Sequence, residues 1–193
     1  MSFKEKLFAA NPIETHYCEL HHVEVSDAEF IYNLRKFRKD NFLKETKGEV
    51  SDQEEYIKKY FNLFNDRKEI YYKVFDKKEK EYCGILRLTE IDNGDVFNWQ
   101  SAIFKEDTSP NIFIDVMLLI YSLGFDYLEK ETCGPWEVKK EFAKMMKIHK
   151  MLGMAKAVNE NETYYLVAVK KKDYLEKIDK YKKMNFGLLK NKL

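Results

Sequence analysis

A histidine near the end of an amphipathic helix is the first residue of this sequence whose type and position suggest chemistry. His149 lies four residues before Gly153, in the segment 138–154 that reads VKKEFAKMMKIHKMLGM. Apolar residues recur there at helical spacing with lysines between them, and a left-handed glycine is a common helix end. Histidine exchanges a proton near neutral pH, which makes His149 a candidate general acid. The pattern equally fits a core-facing helix with an ordinary half-buried histidine.

The cysteines and the remaining histidines do not suggest a second reactive centre. Cys18, Cys83 and Cys133 are far apart and odd in number, which argues against a disulfide framework and a zinc site. Three histidines fall between residues 16 and 22, but this stretch is typical of a strand, and we expect no metal.

Composition limits the class of protein. The 193 residues suffice for one core, so we expect a single domain over 1–193. Lys and Arg number 34 against 33 Asp and Glu, a net charge of +1, which argues against a nucleic-acid partner. No apolar run is long enough for a signal peptide or a membrane span, which favours a soluble protein with no membrane partner and a reducing, cytoplasmic location.

Hydrophobic periodicity predicts an α/β (α+β) domain with a mixed, mostly antiparallel sheet of about seven strands flanked by helices. Ser26 with Glu29 and Ser51 with Glu54 form predicted capping boxes, and Pro110 after Ser109 marks the start of the most apolar helix. The predicted strands cover 17–25, 71–75, 82–91, 96–104, 131–138, 154–158 and 163–169, and a last helix covers 173–183. The resulting order is β α α β β β α β α β β α.

Both this order and local sequence resemble the GCN5-related N-acetyltransferases (GNATs), over roughly residues 17–170. Residues 27–35, DAEFIYNLR, look like the first helix of bacterial members, and residues 83–88, CGILRL, look like their third strand. His149 and Gly153 resemble the end of the family's motif B. Within the family, residues 98–103, NWQSAI, and the proline-containing loop before the central helix are similar to members that acetylate nucleotide-linked deoxyamino sugars.

The resemblance implies acetyl-CoA as co-substrate and assigns roles. His149 would protonate the leaving thiolate, and Glu90, the carboxylate nearest by topology, would be the base. The implied cofactor-binding residues are Ile103, Phe104, Lys105, Thr108, Ser109, Asn111, Ile112, Phe113, Lys139, Lys140 and Lys144. Arg87, Trp99 and Tyr82 are the candidates for binding the acceptor. A strand arginine such as Arg87 is either salt-bridged or directed into a cleft, where it could grip a substrate phosphate.

Two departures from the family pattern leave alternatives open. The loop 105–113 has no glycine and carries Glu106 and Asp107, although a helix N-terminus alone can bind an anion. Phe142 stands where the family more often has asparagine. The favoured interpretation is an N-acetyltransferase for a nucleotide-linked amino sugar, a small molecule. The alternatives are a peptide or protein N-terminal amine as acceptor, or a degenerate, non-catalytic binding protein, and a homodimer is also expected.

Overall fold

The computed structural model describes residues 1–36, 48–140 and 151–190. Its helices are α1 (Phe3–Ala9), α2 (Ala28–Lys36), α3 (Val50–Asn65), α4 (Pro110–Ser122) and α5 (Lys171–Lys182). Its strands are β1 (Ile13–Glu14), β2 (Cys18–His22), β3 (Ile70–Asp76), β4 (Glu81–Thr89), β5 (Val96–Phe104), β6 (Thr132–Lys139), β7 (Ala155–Glu160) and β8 (Tyr164–Lys170). None of the described helices is long and apolar enough to cross a bilayer.

The eight strands within the described residues form one sheet in the order β1-β2-β3-β4-β5-β6-β8-β7. All neighbours are antiparallel except β5 and β6, which run parallel. The predicted fold class is therefore confirmed. The count exceeds the predicted seven because β1 is only two residues long and carries no periodic pattern of its own.

Each face of the sheet is covered by its own apolar cluster. On one face, here called the α4 face, side chains such as Leu86, Leu88 and Phe97 pack in the main core with α4 and α5. On the opposite face, the α2/α3 face, Tyr71, Ile85 and other apolar residues pack with those two helices. Alternation along each strand sends successive side chains to opposite faces, so strand position determines the face on which a residue can act.

The central helix begins as the sequence predicts. Pro110 is its first residue, and the Ser109 side chain caps it by accepting from the N–H of Asn111 at 3.3 Å. The two predicted capping boxes are wrong. The boxes are formed instead by Glu24 with Asp27 before α2 and by Glu49 with Asp52 at the start of α3. The Asp27 carboxylate accepts from the N–H of Glu24 at 2.8 Å, and the Asp52 carboxylate accepts from the N–H of Glu49 at 2.7 Å.

The end of the helix that carries the sequence motif is confirmed where the structure describes it. Met151 and Leu152 are helical, and Gly153 follows with φ of +70°. Leu152 and Met154 are both buried in the main core. The Tyr181 hydroxyl of α5 donates to the carbonyl of Met151 at 3.1 Å, which satisfies one of the last carbonyls of that helix.

Candidate active site

β5 and β6 separate soon after they begin. The parallel ladder joins only Val96 to Thr132 and Phe97 to Cys133. Directly afterwards β6 carries a bulge at Gly134 and Pro135, with a cis peptide bond and a φ of +94° at the glycine. Proline has no N–H with which to continue a ladder. A gap therefore opens between the rest of β5 and β6.

An unpaired backbone edge of β5 faces this gap. The N–H of Lys105 donates to the carbonyl of Cys83 at 2.8 Å, and Phe104 lies opposite Gly84. Because consecutive N–H groups of an antiparallel strand point to opposite sides, the N–H of Phe104 points away from β4, toward the gap. A second bulge, at Ser101 with φ of +53°, further shifts the register of β5 against β4.

Two tryptophans occupy the α4 side of the same gap. Trp99 of β5 and Trp136 of β6 contact each other with ring centroids 5.3 Å apart. Trp99 lies opposite Leu88 and belongs to the main core, so it is buried on the α4 face. The predicted role of Trp99 in stacking on a base or sugar stays a prediction, and the ring is positioned to form one wall of the gap.

The N-terminus of α4 borders a cavity of about 550 Å³. Its first-turn donors already have partners, since the N–H of Asn111 binds the Ser109 side chain and the N–H of Ile112 binds the Ser109 carbonyl at 3.0 Å. The Thr108 hydroxyl donates to the carbonyl of Cys83 at 3.3 Å. Phe113, also predicted to contact the cofactor, packs its ring edge-to-face on Phe104. An anion at this helix end would have to replace Ser109 Oγ.

Carboxylates balance the lysines around this end of the sheet. Lys105 pairs with Glu81 at 2.9 Å, and Lys140 pairs with Glu160 at 2.9 Å. Further acidic residues line the cavity: Asp76, Glu79 and Asp107. Lys139 is half-buried, and Lys144 lies outside the described residues. The predicted neutralisation of a phosphate by these lysines stays a prediction that competes with their ion pairs.

The three residues predicted to bind the acceptor do not come together. Trp99 lies on the α4 face, whereas Arg87 and Tyr82 lie on the α2/α3 face, five residues apart on β4. Tyr82 packs in an aromatic group with His21, Phe30 and Phe75. Ile103, predicted to bind the cofactor, is buried in the α2/α3 cluster.

Arg87 forms an ion pair rather than lying free in a cleft. Its Nε donates to Glu69 Oε1 at 2.5 Å, and its guanidinium lies 5.5 Å from the Tyr56 ring centroid and 5.7 Å from that of Tyr71. The guanidinium is thus held by one carboxylate and two aromatic faces. A phosphate would compete with Glu69 for it.

A row of buried polar residues crosses the sheet beside the point where β5 and β6 part. Thr89 lies opposite Asn98, and Glu69 directly precedes Ile70, which lies opposite Leu88. All three therefore share the α2/α3 face, and each is less than 8% exposed. We call Glu69, Thr89 and Asn98 the polar row. Sequence reasoning missed its Glu69 and Thr89, which carry no local signal; the polar Asn98 and Gln100, alternating along the otherwise apolar β5, were the available sign of a polar patch on this face.

The polar row opens into a depression of about 420 Å³, which Glu69, Thr89 and Gln100 line together with acidic Glu90 and Asp92. Glu90 lies just beyond β4 with φ of +59° and is exposed. The structure thus brings the predicted base to the same depression as Glu69. His149 and Phe142 lie outside the described residues, so the predicted acid and the departure from the family pattern stay predictions.

Within the described ranges, no group of three or more His, Cys, Asp or Glu residues is placed to hold a metal ion. His21 Nε2 instead lies 2.9 Å from a Glu19 oxygen. The three cysteines are free and buried. Burial raises the pKa of the Cys83 thiol to about 12 and that of Cys133 well above its ordinary value, so both are protonated at neutral pH.

A sheet with a parting pair of parallel strands, helices on both faces and a capped central helix is the arrangement of the GCN5-related N-acetyltransferases, and solved structures of that fold match this chain. No protein-family model and no curated protein matches it. The structure "apo FdhC, a nucleotide-linked sugar GNAT" is 27% identical, with a TM-score of 0.79, covering 91% of this chain and 99% of that one.

Two more distant structures share the fold. A GCN5-related N-acetyltransferase from Brucella melitensis is 15% identical, with a TM-score of 0.70 over 94% of this chain and 91% of that one. Spermidine N-acetyltransferase from Vibrio cholerae, in complex with CoA and spermine, is 18% identical, with a TM-score of 0.64 over 82% and 98%. The predicted GNAT fold is confirmed.

Proposed function

We propose that the protein is an N-acetyltransferase that moves an acetyl group from acetyl-CoA to a primary amine. The observation that carries this proposal is the parting of β5 and β6, which leaves the N–H of Phe104 directed into a gap between two strands. A thioester carbonyl accepting from that N–H would be polarised for attack by an amine. Similarity to GNAT structures, one of them CoA-bound, supports the same reaction.

The co-substrate fits the two ends of the proposed site differently. At the gap, the Phe104 amide and the wall formed by Trp99 and Trp136 suit an extended acyl arm. At the N-terminus of α4, the helix dipole favours a pyrophosphate, but Ser109 already caps the helix and Asp107 adds negative charge. We therefore expect CoA affinity to come chiefly from the gap.

For the acceptor, we propose a nucleotide-linked deoxyamino sugar, supported by the nearly full-length similarity to a nucleotide-linked sugar GNAT. Three carboxylates line the depression together with Lys68, and one of them, Asp92, pairs with Lys4. The exposed Glu90 favours a second candidate, a cationic amine such as a peptide N-terminus, because it would attract the positive charge. The satisfied amides of α4 favour the third, a binding protein that has lost catalysis.

The remaining expectations enter as parts of the proposal. His149 would protonate the leaving thiolate from a helix whose described end turns at Gly153. A cytoplasmic location is supported by three free, buried cysteines. A homodimer is supported by β7, an edge strand of the described sheet with five exposed residues, to which a second copy could pair.

Two measurements test the proposal. Calorimetry with CoA should show saturable binding, and thiol release from acetyl-CoA should follow addition of the correct amine. The panel comprises a thymidine-diphosphate-linked 4-amino-4,6-dideoxy sugar, an alanine-initiated tripeptide and spermidine. Turnover of the sugar nucleotide alone supports the favoured acceptor, and turnover of the tripeptide supports the second candidate. CoA binding without turnover, or no heat at high micromolar CoA, overturns the enzymatic proposal.

A further inference from the structure

The depression beside the polar row contains a carboxylate that the fold holds almost out of solvent. Glu69 is 6% exposed and lines the depression, and within the described residues Arg87 is its one hydrogen-bond donor. The Arg87 contact uses Oε1. A carboxylate offers about four acceptor positions, so Glu69 retains capacity for a donor from a bound molecule.

Thr89 gives a second, independent sign that a ligand belongs here. The residue is 5% exposed, and its Oγ1 has no hydrogen-bond partner among the described residues. Leaving a buried hydroxyl unpaired costs about 1–3 kcal/mol. Because Thr89 lines the same depression as Glu69, a polar group entering that depression would satisfy the hydroxyl.

The position relative to the gap fits an acceptor amine. Glu69, Thr89 and Asn98 stand side by side on three adjacent strands, so they span about 10 Å. Asn98 directly follows Phe97, the last residue of β5 that pairs with β6. The row therefore leads from Glu69 to the point where β5 and β6 part, which is the closed end of the gap.

We propose that Glu69 takes the proton from the acceptor's ammonium group, and that Arg87 is the positioning residue that fixes the carboxylate; this inference rests on the proposed function. It replaces the predicted phosphate grip of Arg87, whose charge is already balanced by Glu69. It also moves the base from Glu90, which is exposed, to a carboxylate that is paired with Arg87, whose guanidinium lies against two aromatic rings.

The step balances as follows. Glu69 accepts one proton from R–NH₃⁺, which leaves the free amine. The nitrogen lone pair attacks the thioester carbonyl carbon; the C–N bond forms and the C–S bond breaks. The nitrogen loses its surplus proton, the sulfur leaves as a thiol after gaining one, and Glu69 returns its proton to solvent. The net products are an amide, a thiol and one proton.

The surroundings of Glu69 matter for the pH dependence. The charged and titratable groups near it come from five places: Arg87 on β4, Tyr71 on β3, Tyr56 and Tyr60 on α3, Arg35 on α2 beside Tyr56 and Tyr71, and Lys68, Glu90 and Asp92 at the rim. Burial raises the pKa of Tyr60 and Tyr71 above the ordinary tyrosine value, so neither loses its proton between pH 6 and 9. In that range the tyrosines do not add a titration of their own.

The experiment compares full-length wild type and Glu69→Gln with the amine that the wild type acetylates best in the panel above. We expect kcat/KM to fall about 10²–10⁴-fold. The loss should shrink as the pH rises toward the pKa of the amine, because free amine then forms without a protein base. Glu55→Gln, which removes an exposed carboxylate paired with Lys59 on α3, is the matched control and should retain wild-type kcat/KM.

Stability is measured alongside, because Glu69→Gln leaves Arg87 without its partner. If Glu69 and Arg87 form a purely structural pair, kcat/KM of Glu69→Gln should fall by the same factor at every pH, and Arg87→Lys should show a similar loss. The proposal instead predicts that Arg87→Lys, which keeps a positive charge beside Glu69, retains the wild-type shape of the pH profile of kcat/KM. An active wild type with an unchanged Glu69→Gln profile, or a loss confined to Glu90→Gln, overturns the inference alone. If the wild type acetylates none of the amines in the panel, both the proposed function and this inference are overturned.

Discussion

Two carboxylates of this protein are almost equally hidden from solvent and are used in opposite ways. Asp115 of α4 is fully buried, and Glu69 is 6% exposed. Asp115 accepts from Thr15 Oγ1 at 2.5 Å, from the Gly187 N–H at 2.7 Å and from the Tyr17 N–H at 3.4 Å. Glu69, within the described residues, has Arg87 as its one donor and borders an open depression.

The difference separates a structural carboxylate from a candidate catalytic one. The partners of Asp115 come from the two ends of the chain, so it fastens the segment before β2 and the segment after α5 to the central helix. Saturation with donors leaves no position for a ligand. A buried carboxylate with spare acceptor capacity beside a cavity costs stability unless something else binds it, and active sites commonly contain such groups.

The largest effect on stability should follow from removing the Asp115 carboxylate, which accepts several buried hydrogen bonds. Asp115→Ala leaves the backbone N–H groups of Tyr17 and Gly187 without an acceptor inside the core, and the Thr15 hydroxyl keeps only the carbonyl of Cys18. We expect a loss of about 3–5 kcal/mol in the free energy of unfolding. Urea titration measures it. Asp115→Asn, which keeps one acceptor oxygen, is the control and should lose less. Equal losses for both variants would contradict a role based on accepted hydrogen bonds.

A matched pair of threonine substitutions sharpens the comparison. Thr15→Val removes a hydroxyl that binds Asp115 and should lower the free energy of unfolding by about 1–3 kcal/mol. Thr89→Val removes a hydroxyl without a partner in the described chain, so stability should stay unchanged or rise by up to about 1 kcal/mol.

The effects of the two threonine substitutions on catalysis should be the reverse of their effects on stability. Thr89→Val should lower kcat/KM about tenfold, the value of roughly one hydrogen bond to the acceptor, whereas Thr15→Val should leave the rate of folded protein unchanged. Urea titration and thiol release on the same two variants provide both measurements. Parallel losses of stability and rate in both variants would show that the polar row is ordinary core.

The sequence predicted where the strands begin and end better than it predicted which polar residues become neighbours in the sheet. Strand β5 begins at Val96 and ends at Phe104 as predicted, because the Asn93–Gly94 turn and Pro110 are local signals at its two ends. Glu69 and Thr89 gave no such signal. They become neighbours only through the register of β3 against β4, and a buried glutamate before a strand looks like any solvated strand-end residue.

The same limit applies to Arg87 and Asp115. Whether a strand arginine is paired depends on a carboxylate 18 residues earlier, and the partners of Asp115 lie 100 and 72 residues away along the chain. Hydrophobic periodicity identifies which face of an element is buried, but it does not identify which polar residues meet there. The GNAT resemblance predicted the fold correctly because element order is a property of the whole chain.

The smallest expected effect is the pH dependence of the free energy of unfolding that arises from the charge of Asp115. Burial raises the pKa of this carboxyl, opposed by its hydrogen bonds from Thr15 and Gly187. Between the ordinary Asp pKa and the raised value, the folded protein therefore holds a proton that the unfolded chain has released. Stability from this group is present at low pH and is lost as the pH rises through the raised pKa, by about 1.4 kcal/mol for each unit of the shift.

Asp115→Asn cannot titrate at this position, so it serves as the reference. We expect the stability of the wild type relative to Asp115→Asn to increase as the pH is lowered from 7 toward 4, measured by urea titration at each pH. All other groups titrate alike in the two proteins and cancel in the difference. A difference that stays constant, or that grows with rising pH, would mean that the hydrogen bonds outweigh burial, and Asp115 would then resemble a paired surface carboxylate.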